Sequence, residues 1–377
     1  MMARIGGLRR LLVSAALILA IEPSGAAGAV SAEPAPTAAL SPRPDGTVMV
    51  NGVQLPISDL LSPDGAAYLR HLIVDKPFGA GPPLPDIRAE RARQDKIMRV
   101  FLDPMLRRYA VRITEETIGG IVTDVVVPAG GIAPENHDRV LINLHGGGFT
   151  TGGRSASLVE SVPLAAVMKI KVISVDYRMG PEYRYPAASE DVAAVYREIL
   201  KHYDAKRVGL YGCSAGGMLT AESIAWFQTH DLPNPGAIGI FCASLGKIAA
   251  GDSAVLGMAL LGASRPASPT PPPRAPRSQG PGFVYLSEVR DDDPVVYPLN
   301  SPAMLARFPA TLFISGTRSF EFSAALNSHN KLAKAGVDTA FYGWDGMFHG
   351  FFYNSELPES REAYDIMAQF FDSHLSR

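Results

Sequence analysis

Residues 206–218, KRVGLYGCSAGGM, leave this chain few folds to choose from. The first half is a short apolar run of the kind that forms a strand covered on both faces, and AGGMLTAESIAWFQTH after it has a helical pattern. Between them Gly212 and Gly216 stand two residues to either side of Ser214. Side chains at those two positions would collide with neighbouring backbone, so the turn is tight and Ser214 is held out at its apex. A G-x-S-x-G pentapeptide that ends a strand and opens a helix is a nucleophile elbow, a strained turn that exposes the serine hydroxyl at the top of a sheet. The plainer alternative is a helix N-cap serine.

The rest of the chain repeats the strand, loop and helix period. RVLINLH, KVISVDY, KRVGLYG, GAIGIFCASL, PATLFISG and VDTAFYGW are strand-like, and AASEDVAAVYREILKHY, SAALNSHNKLAKAG and REAYDIMAQFFDSHL are amphipathic helices. Such alternation predicts an α/β fold with a mostly parallel central sheet and helices on both faces. With 377 residues, 47% of them hydrophobic, one large domain or one domain with an insertion can be filled. Residues 60–110 carry a helical pattern and read as an N-terminal cap segment. After them VRITEETIGGIVTDVVVP predicts a hairpin turned at Gly119-Gly120. The α/β domain runs over 111–377, interrupted by an insertion at about 246–308 whose stretch 264–282 is rich in proline. An insertion at the carboxyl edge of such a sheet is either a second cap piece or a solvated loop.

Lys and Arg number 35 against 37 Asp and Glu, with no basic stripe, so nucleic acid is not an expected partner. Residues 1–29 have the layout of an export signal: Arg4, Arg9 and Arg10, an apolar run from Leu11 to Ile21, then Ala27-Gly28-Ala29 as a cleavage site. The run is short for a membrane span, so the expectation is an exported chain, periplasmic or secreted, with no stable span after cleavage. An uncleaved anchor is the alternative, and Arg9-Arg10 leaves the export route open between the general and twin-arginine systems. Residues 30–59 then read as a linker. Cys213 and Cys242 are the two cysteines, either a disulfide or two buried thiols.

Nucleophilic chemistry at Ser214 needs donors for negative charge, a base and an acid. The glycine run in LHGGGF, residues 144–149, follows a strand and brings backbone N–H groups close to a substrate oxygen. The expected oxyanion donors are Gly146, Gly147 and Gly148 together with Ala215. His145 is read as an anchor for this loop. The base is expected late in the chain, and DGMFHGFF supplies His349 after the last strand, in the chain order serine, acid, histidine. The acid is expected after PATLFISG, where the chain reads GTRSFEF. Ser319 has no carboxylate, so Glu321 is the expected acid, with Asp338 and Asp345 as the other possibilities. This chemistry requires neither a metal nor an organic cofactor.

HGGGF (145–149), VDYRMGPEYRYPAASED (175–191), GCSAGG (212–217) and GMFHGF (346–351) together resemble the hormone-sensitive-lipase-like family of α/β-hydrolase esterases, in order and approximate spacing from about residue 110 onward. The resemblance implies Ser214 as nucleophile, His349 as base, a cap from the N-terminal helices, and Asp176, Arg178, Glu182 and Asp191 as supports beneath the site. Two positions depart from the pattern: Cys213 stands where the family usually has aspartate, and Ser319 stands at the family's acid position. The function these readings imply is hydrolysis of small or medium-chain carboxylic esters through an acyl-enzyme. The alternatives are a ligand-binding protein that lost the reaction, or an amidase or acyl transferase using the same residues.

Overall fold

Apolar runs such as RVLINL and KRVGLYG need cover on both faces, and the fold supplies it with one sheet between two helical layers. The computed structural model describes residues 43–45, 47–50, 53–75, 84–261 and 284–376. Two units divide the chain, Met1–Thr37 and Ala38–Arg377, and the first lies wholly outside the described residues, as do the export signal of residues 1–29 and the proline-rich stretch 264–282.

The described chain begins with a small antiparallel ladder of β1 (Val48–Val50) and β2 (Val53–Leu55), followed by helices α1 (Pro63–Asp75) and α2 (Ile87–Arg108). The ladder falls within the residues read from sequence as linker, a pairing too short to register as a period-2 pattern. A hairpin follows, β3 (Val111–Ile118) and β4 (Ile121–Pro128), turned at Gly119 and Gly120 with φ of 59° and 82°. Then come β5 (Val140–Leu144), α3 (Ala156–Met168), β6 (Lys171–Val175), α4 (Ala187–Ile199), β7 (Val208–Cys213), α5 (Ala215–Thr229) and β8 (Ala237–Phe241). The insertion contributes α6 (Ser253–Leu260) and α7 (Pro302–Leu305). The chain ends with β9 (Ala310–Gly316), α8 (Phe322–Lys334), β10 (Thr339–Trp344) and α9 (Pro358–His374).

The larger sheet has eight strands in the order β10-β9-β8-β7-β5-β6-β4-β3. Pairing is parallel except for β3 with β4 and β4 with β6. Side chains alternate across it. Ile142 of β5 and Leu210 of β7 face a core shared with α4 and α5, while Leu141 and Tyr211 face a second core shared with α3 and α9. β5 has β6 on one side and β7 on the other, so the strand order reverses there. In such sheets the carboxyl ends at the reversal open a crevice for ligands. The HGGG loop leaves β5 at that edge, and the serine turn leaves β7 beside it.

The insertion is partly core. Tyr285 is fully buried and stacks on Phe149 with ring centres 4.8 Å apart, and Val296 is also buried. Among the described residues no helix is long and apolar enough to cross a membrane.

Candidate active site

β5 and β7 are paired so that Leu144 lies opposite Gly212. A side-chain carbon built on either Gly212 or Gly216 would strike the Leu144 carbonyl, so the elbow closes against β5 only because both are glycine. Ser214 at the apex has φ 58° and ψ −121°, a conformation that costs roughly 1–3 kcal/mol and persists where surrounding structure enforces it. Two hydrogen bonds do so: Ser214 N–H donates to the Phe241 carbonyl at 2.9 Å, and Met218 N–H donates to the Ser214 carbonyl at 3.0 Å. The serine side chain makes no capping hydrogen bond to α5, which argues against the plain N-cap reading.

His145 opens the glycine loop from inside the protein. Its ring stacks on Tyr177 at 4.2 Å, Nδ1 donates to the Gly146 carbonyl at 2.7 Å, and the Tyr177 hydroxyl donates to the His145 carbonyl at 2.7 Å. Burial lowers the His145 pKa to about 4, so the ring is neutral at ordinary pH and serves as a wedge under the loop. The loop turns back on itself through Thr150 and Thr151 N–H groups, which donate to the Gly147 carbonyl at 3.1 and 3.0 Å. From the cap segment, Arg91 of α2 donates to the Thr150 carbonyl at 2.8 Å and to the Gly180 carbonyl at 3.1 Å, and pairs with Glu182 at 2.7 Å. Gly146 departs from expectation. Its N–H points inward and donates to Glu160 Oε1 at 2.9 Å, which leaves Gly147, Gly148 and Ala215 as the residues whose amides could meet an oxyanion.

The stretch after β9 brings Glu321 to His349. Glu321 is fully buried, and its Oε2 lies 2.9 Å from His349 Nδ1. Ser315 Oγ donates to Oε1 at 2.9 Å, and the hydroxyl of Ser319 donates to Oε2. Burial by itself would push this carboxyl pKa up, but the charge and hydrogen bond of His349 and the Ser319 hydroxyl more than reverse it and hold it below 4.5. Ser319, at the position without a carboxylate, thus supports the carboxylate two residues on. The His349 imidazole keeps about a third of its surface exposed and lies 4.7 Å from the Phe320 ring. The other two acids are occupied elsewhere: Asp345 accepts from Ser58 at 2.5 Å and Thr317 at 3.0 Å, and Asp338 meets His374 at 3.1 Å.

Helix α6 of the insertion sits directly on this acid loop. Ser253 Oγ donates to the Phe320 carbonyl at 2.9 Å and accepts from Ser323 N–H at 2.8 Å. Gly257 fits so closely that an added Cβ would be 2.7 Å from Phe320 N and 2.8 Å from the Ser319 carbonyl carbon. Arg318, also buried, donates to the carbonyls of Leu260 at 3.1 Å and Pro56 at 2.5 Å, tying the loop to the insertion and to the segment just after β2.

Cys213 and Cys242 are free, buried thiols, and burial raises both pKa values. Cys242 Sγ accepts from Gly350 N–H at 3.2 Å. The residue after His349 is therefore held by the thiol that follows β8. Among the described residues, Cys242, Glu321 and His349 have potential ligand atoms within 4.8 Å of one another. Those atoms already serve the hydrogen bonds just given. Arg178 grips Asp191 through its backbone N–H at 2.8 Å and Nε at 2.8 Å, and pairs with Glu190 at 2.9 Å. Asp176 is largely buried near Arg154 and Arg91, with its pKa raised by burial.

This arrangement defines a class, the serine hydrolases of the esterase and lipase kind. A family model described as the alpha/beta hydrolase fold matches residues 141–353, and the chain belongs to that family. Its motifs resemble those of hormone-sensitive-lipase-like esterases. It is similar to an acetyl-hydrolase of Streptomyces hygroscopicus, 29% identical over 259 residues that span 67% of this chain and 82% of that protein. An arylacetamide deacetylase of Oryctolagus cuniculus is 34% identical over 120 residues, 29% of this chain and 30% of that protein. Among solved structures, esterase E25 superposes with a TM-score of 0.71 at 25% identity, covering 87% of this chain and 99% of its own. An esterase from the bacterial hormone-sensitive lipase family shares the fold with a TM-score of 0.69 at 23% identity, over 84% and 99% of the two chains.

Proposed function

We propose that this carboxylic ester hydrolase is exported and cleaves small or medium-chain esters through an acyl-enzyme on Ser214. The observation that carries the reading is the buried Glu321 carboxylate on His349 Nδ1 at 2.9 Å, which leaves Nε2 as the nitrogen able to take a proton. Ser214 Oγ attacks the ester carbonyl carbon as its proton passes to His349 Nε2. The carbonyl oxygen becomes an oxyanion met by the amides of Gly147, Gly148 and Ala215. When the tetrahedral intermediate collapses, the carbon–oxygen bond to the alcohol breaks and His349 returns the proton to the departing alkoxide. Water then attacks the acyl carbon and gives a proton to His349; the bond to Oγ breaks, His349 passes that proton to Oγ, and the acid leaves with Ser214 restored. Glu321 holds the imidazole in this tautomer and stabilises its cation. With a carboxylate supplied from residue 321, the serine at 319 gives no ground for the ligand-binding alternative.

The test is pre-steady-state hydrolysis of p-nitrophenyl butyrate. A burst of p-nitrophenol approaching one per chain supports the acyl-enzyme, and strictly linear release with no serine labelling by a fluorophosphonate argues against it. Export rests on the arginines, apolar run and Ala27-Gly28-Ala29 of residues 1–29. Edman sequencing of protein recovered outside the cytoplasm is expected to start at residue 30; full-length protein confined to the cytoplasm would refute export.

A further inference from the structure

Helix α3 has the sequence ASLVESVPLAAVM, apolar throughout except for small hydroxyls and one charged residue, Glu160, which is buried. A carboxylate is almost never placed in such surroundings without partners. Glu160 has four, from different parts of the site. Oε1 accepts from Gly146 N–H at 2.9 Å and from the Tyr353 hydroxyl at 2.6 Å. Oε2 accepts from Asn143 Nδ2 at 2.9 Å and from Cys213 N–H at 3.2 Å. Gly146 belongs to the glycine loop, Cys213 precedes Ser214, and Tyr353 lies in the short helical turn after His349. Asn143 is fixed in turn by the Ser174 hydroxyl at 2.8 Å, and the Tyr211 hydroxyl holds the Glu160 backbone carbonyl at 3.1 Å.

We propose that Glu160 is a positioning residue for ester hydrolysis, its one carboxylate holding the oxyanion loop, the serine elbow and the histidine loop in a single mutual register. This role rests on the esterase reading above. Four donors converge on two oxygens, so the geometry calls for an acceptor-only group, which is an ionised carboxylate. An amide in its place turns an NH2 toward two of those donors, and donor faces donor in a dry interior. The glycine loop has little freedom to absorb the error, because a carbon added to Gly146 would already be 3.0 Å from both the Cys213 carbonyl and the Tyr353 hydroxyl. Displacement of reacting groups by about 1 Å can lower turnover about 10²-fold.

The titratable groups around Glu160 are Tyr177, Tyr211, Cys213, Cys242 and Tyr353, and burial pushes all of their pKa values up, so none is a competing anion at ordinary pH. Burial raises the Glu160 pKa to about 7, with the Tyr353 hydroxyl, Asn143 and the two amides pulling against it. Removing the Tyr353 hydroxyl takes away a donor to the anion and moves that titration further up.

The experiment compares wild type, Glu160→Gln and Tyr353→Phe with p-nitrophenyl butyrate across pH, alongside circular dichroism and thermal melts. In folded Glu160→Gln, kcat is expected to fall about 10²-fold with KM changed by less than about threefold, the pattern of a loss felt in the transition state. In Tyr353→Phe the acidic limb of the kcat profile is expected to move to higher pH, a displacement that a merely structural residue does not produce. Folded Glu160→Gln with wild-type kcat overturns the role. If that variant does not fold, a Tyr353→Phe profile superimposable on wild type overturns it instead. A wild type that does not turn over the ester removes the esterase reading and this role with it, an outcome distinct from the other two.

Discussion

Ser214→Ala is expected to lower kcat on a p-nitrophenyl ester by about 10⁶-fold, roughly 8 kcal/mol of transition-state stabilisation, the size of effect that follows loss of the nucleophile in a serine hydrolase. The fold has no reason to suffer. The residue lies in a strained conformation set by its backbone bonds to Phe241 and Met218, and neither uses the side chain. The thermal midpoint should therefore stay where it is, and binding of the ester should persist because the glycine loop and cap are untouched. Turnover by the alanine variant within about a hundredfold of wild type, outside the loss that a missing nucleophile produces, would move the reaction to another residue.

Glu321→Gln carries the second largest effect, a loss of about 10⁴ in kcat, as found when a triad carboxylate becomes an amide and the imidazole settles in the wrong tautomer. The amide preserves volume in a fully buried position, and its oxygen can still accept from Ser315 or Ser319, so the variant is expected to fold. It should also respond differently to acid. A carboxyl held below 4.5 in the folded protein stabilises it above the ordinary carboxyl pKa, and that contribution disappears as pH falls through the lower folded value. Without the carboxyl, the melt should lose less stability on acidification. A glutamine variant as fast as the parent would mean that some other carboxylate serves His349, although Asp338 and Asp345 are engaged with His374 and with Ser58 and Thr317.

The acid is also where reading the chain alone left alternatives open. Three carboxylates lie between β9 and His349 in sequence, and nothing in their spacing says which one turns inward. The choice follows from the Ser315 and Ser319 hydroxyls and from α6, whose Gly257 packs onto the Phe320 backbone. The serine hydroxyls are near in sequence, but the α6 contacts reach across 67 and 70 positions and the imidazole lies 28 residues beyond Glu321. At Gly146 the string is equally silent: three consecutive glycines look equivalent in sequence, whereas folded backbone points the first amide at Glu160. Glu160 itself had a visible mark, a single charge within an apolar helix. Its partners come from β5, β7 and the turn after His349, and no local window contains them.

Sequence by itself determined the α/β layering, the strand order's raw material, and the identity of the serine, the histidine and the glycine loop as chemically expectant residues. Each is written in a short range, as a period of two or 3.6 or as glycines spaced around a turn, and short-range patterns follow from local sterics and burial. Tertiary structure alone decided which carboxylate meets the imidazole, which glycine amide faces inward, and that one buried glutamate ties three loops together. Those outcomes depend on hydrogen bonds formed across the sheet's carboxyl edge. Their strength comes from exclusion of water, which exists only once the chain has closed around them.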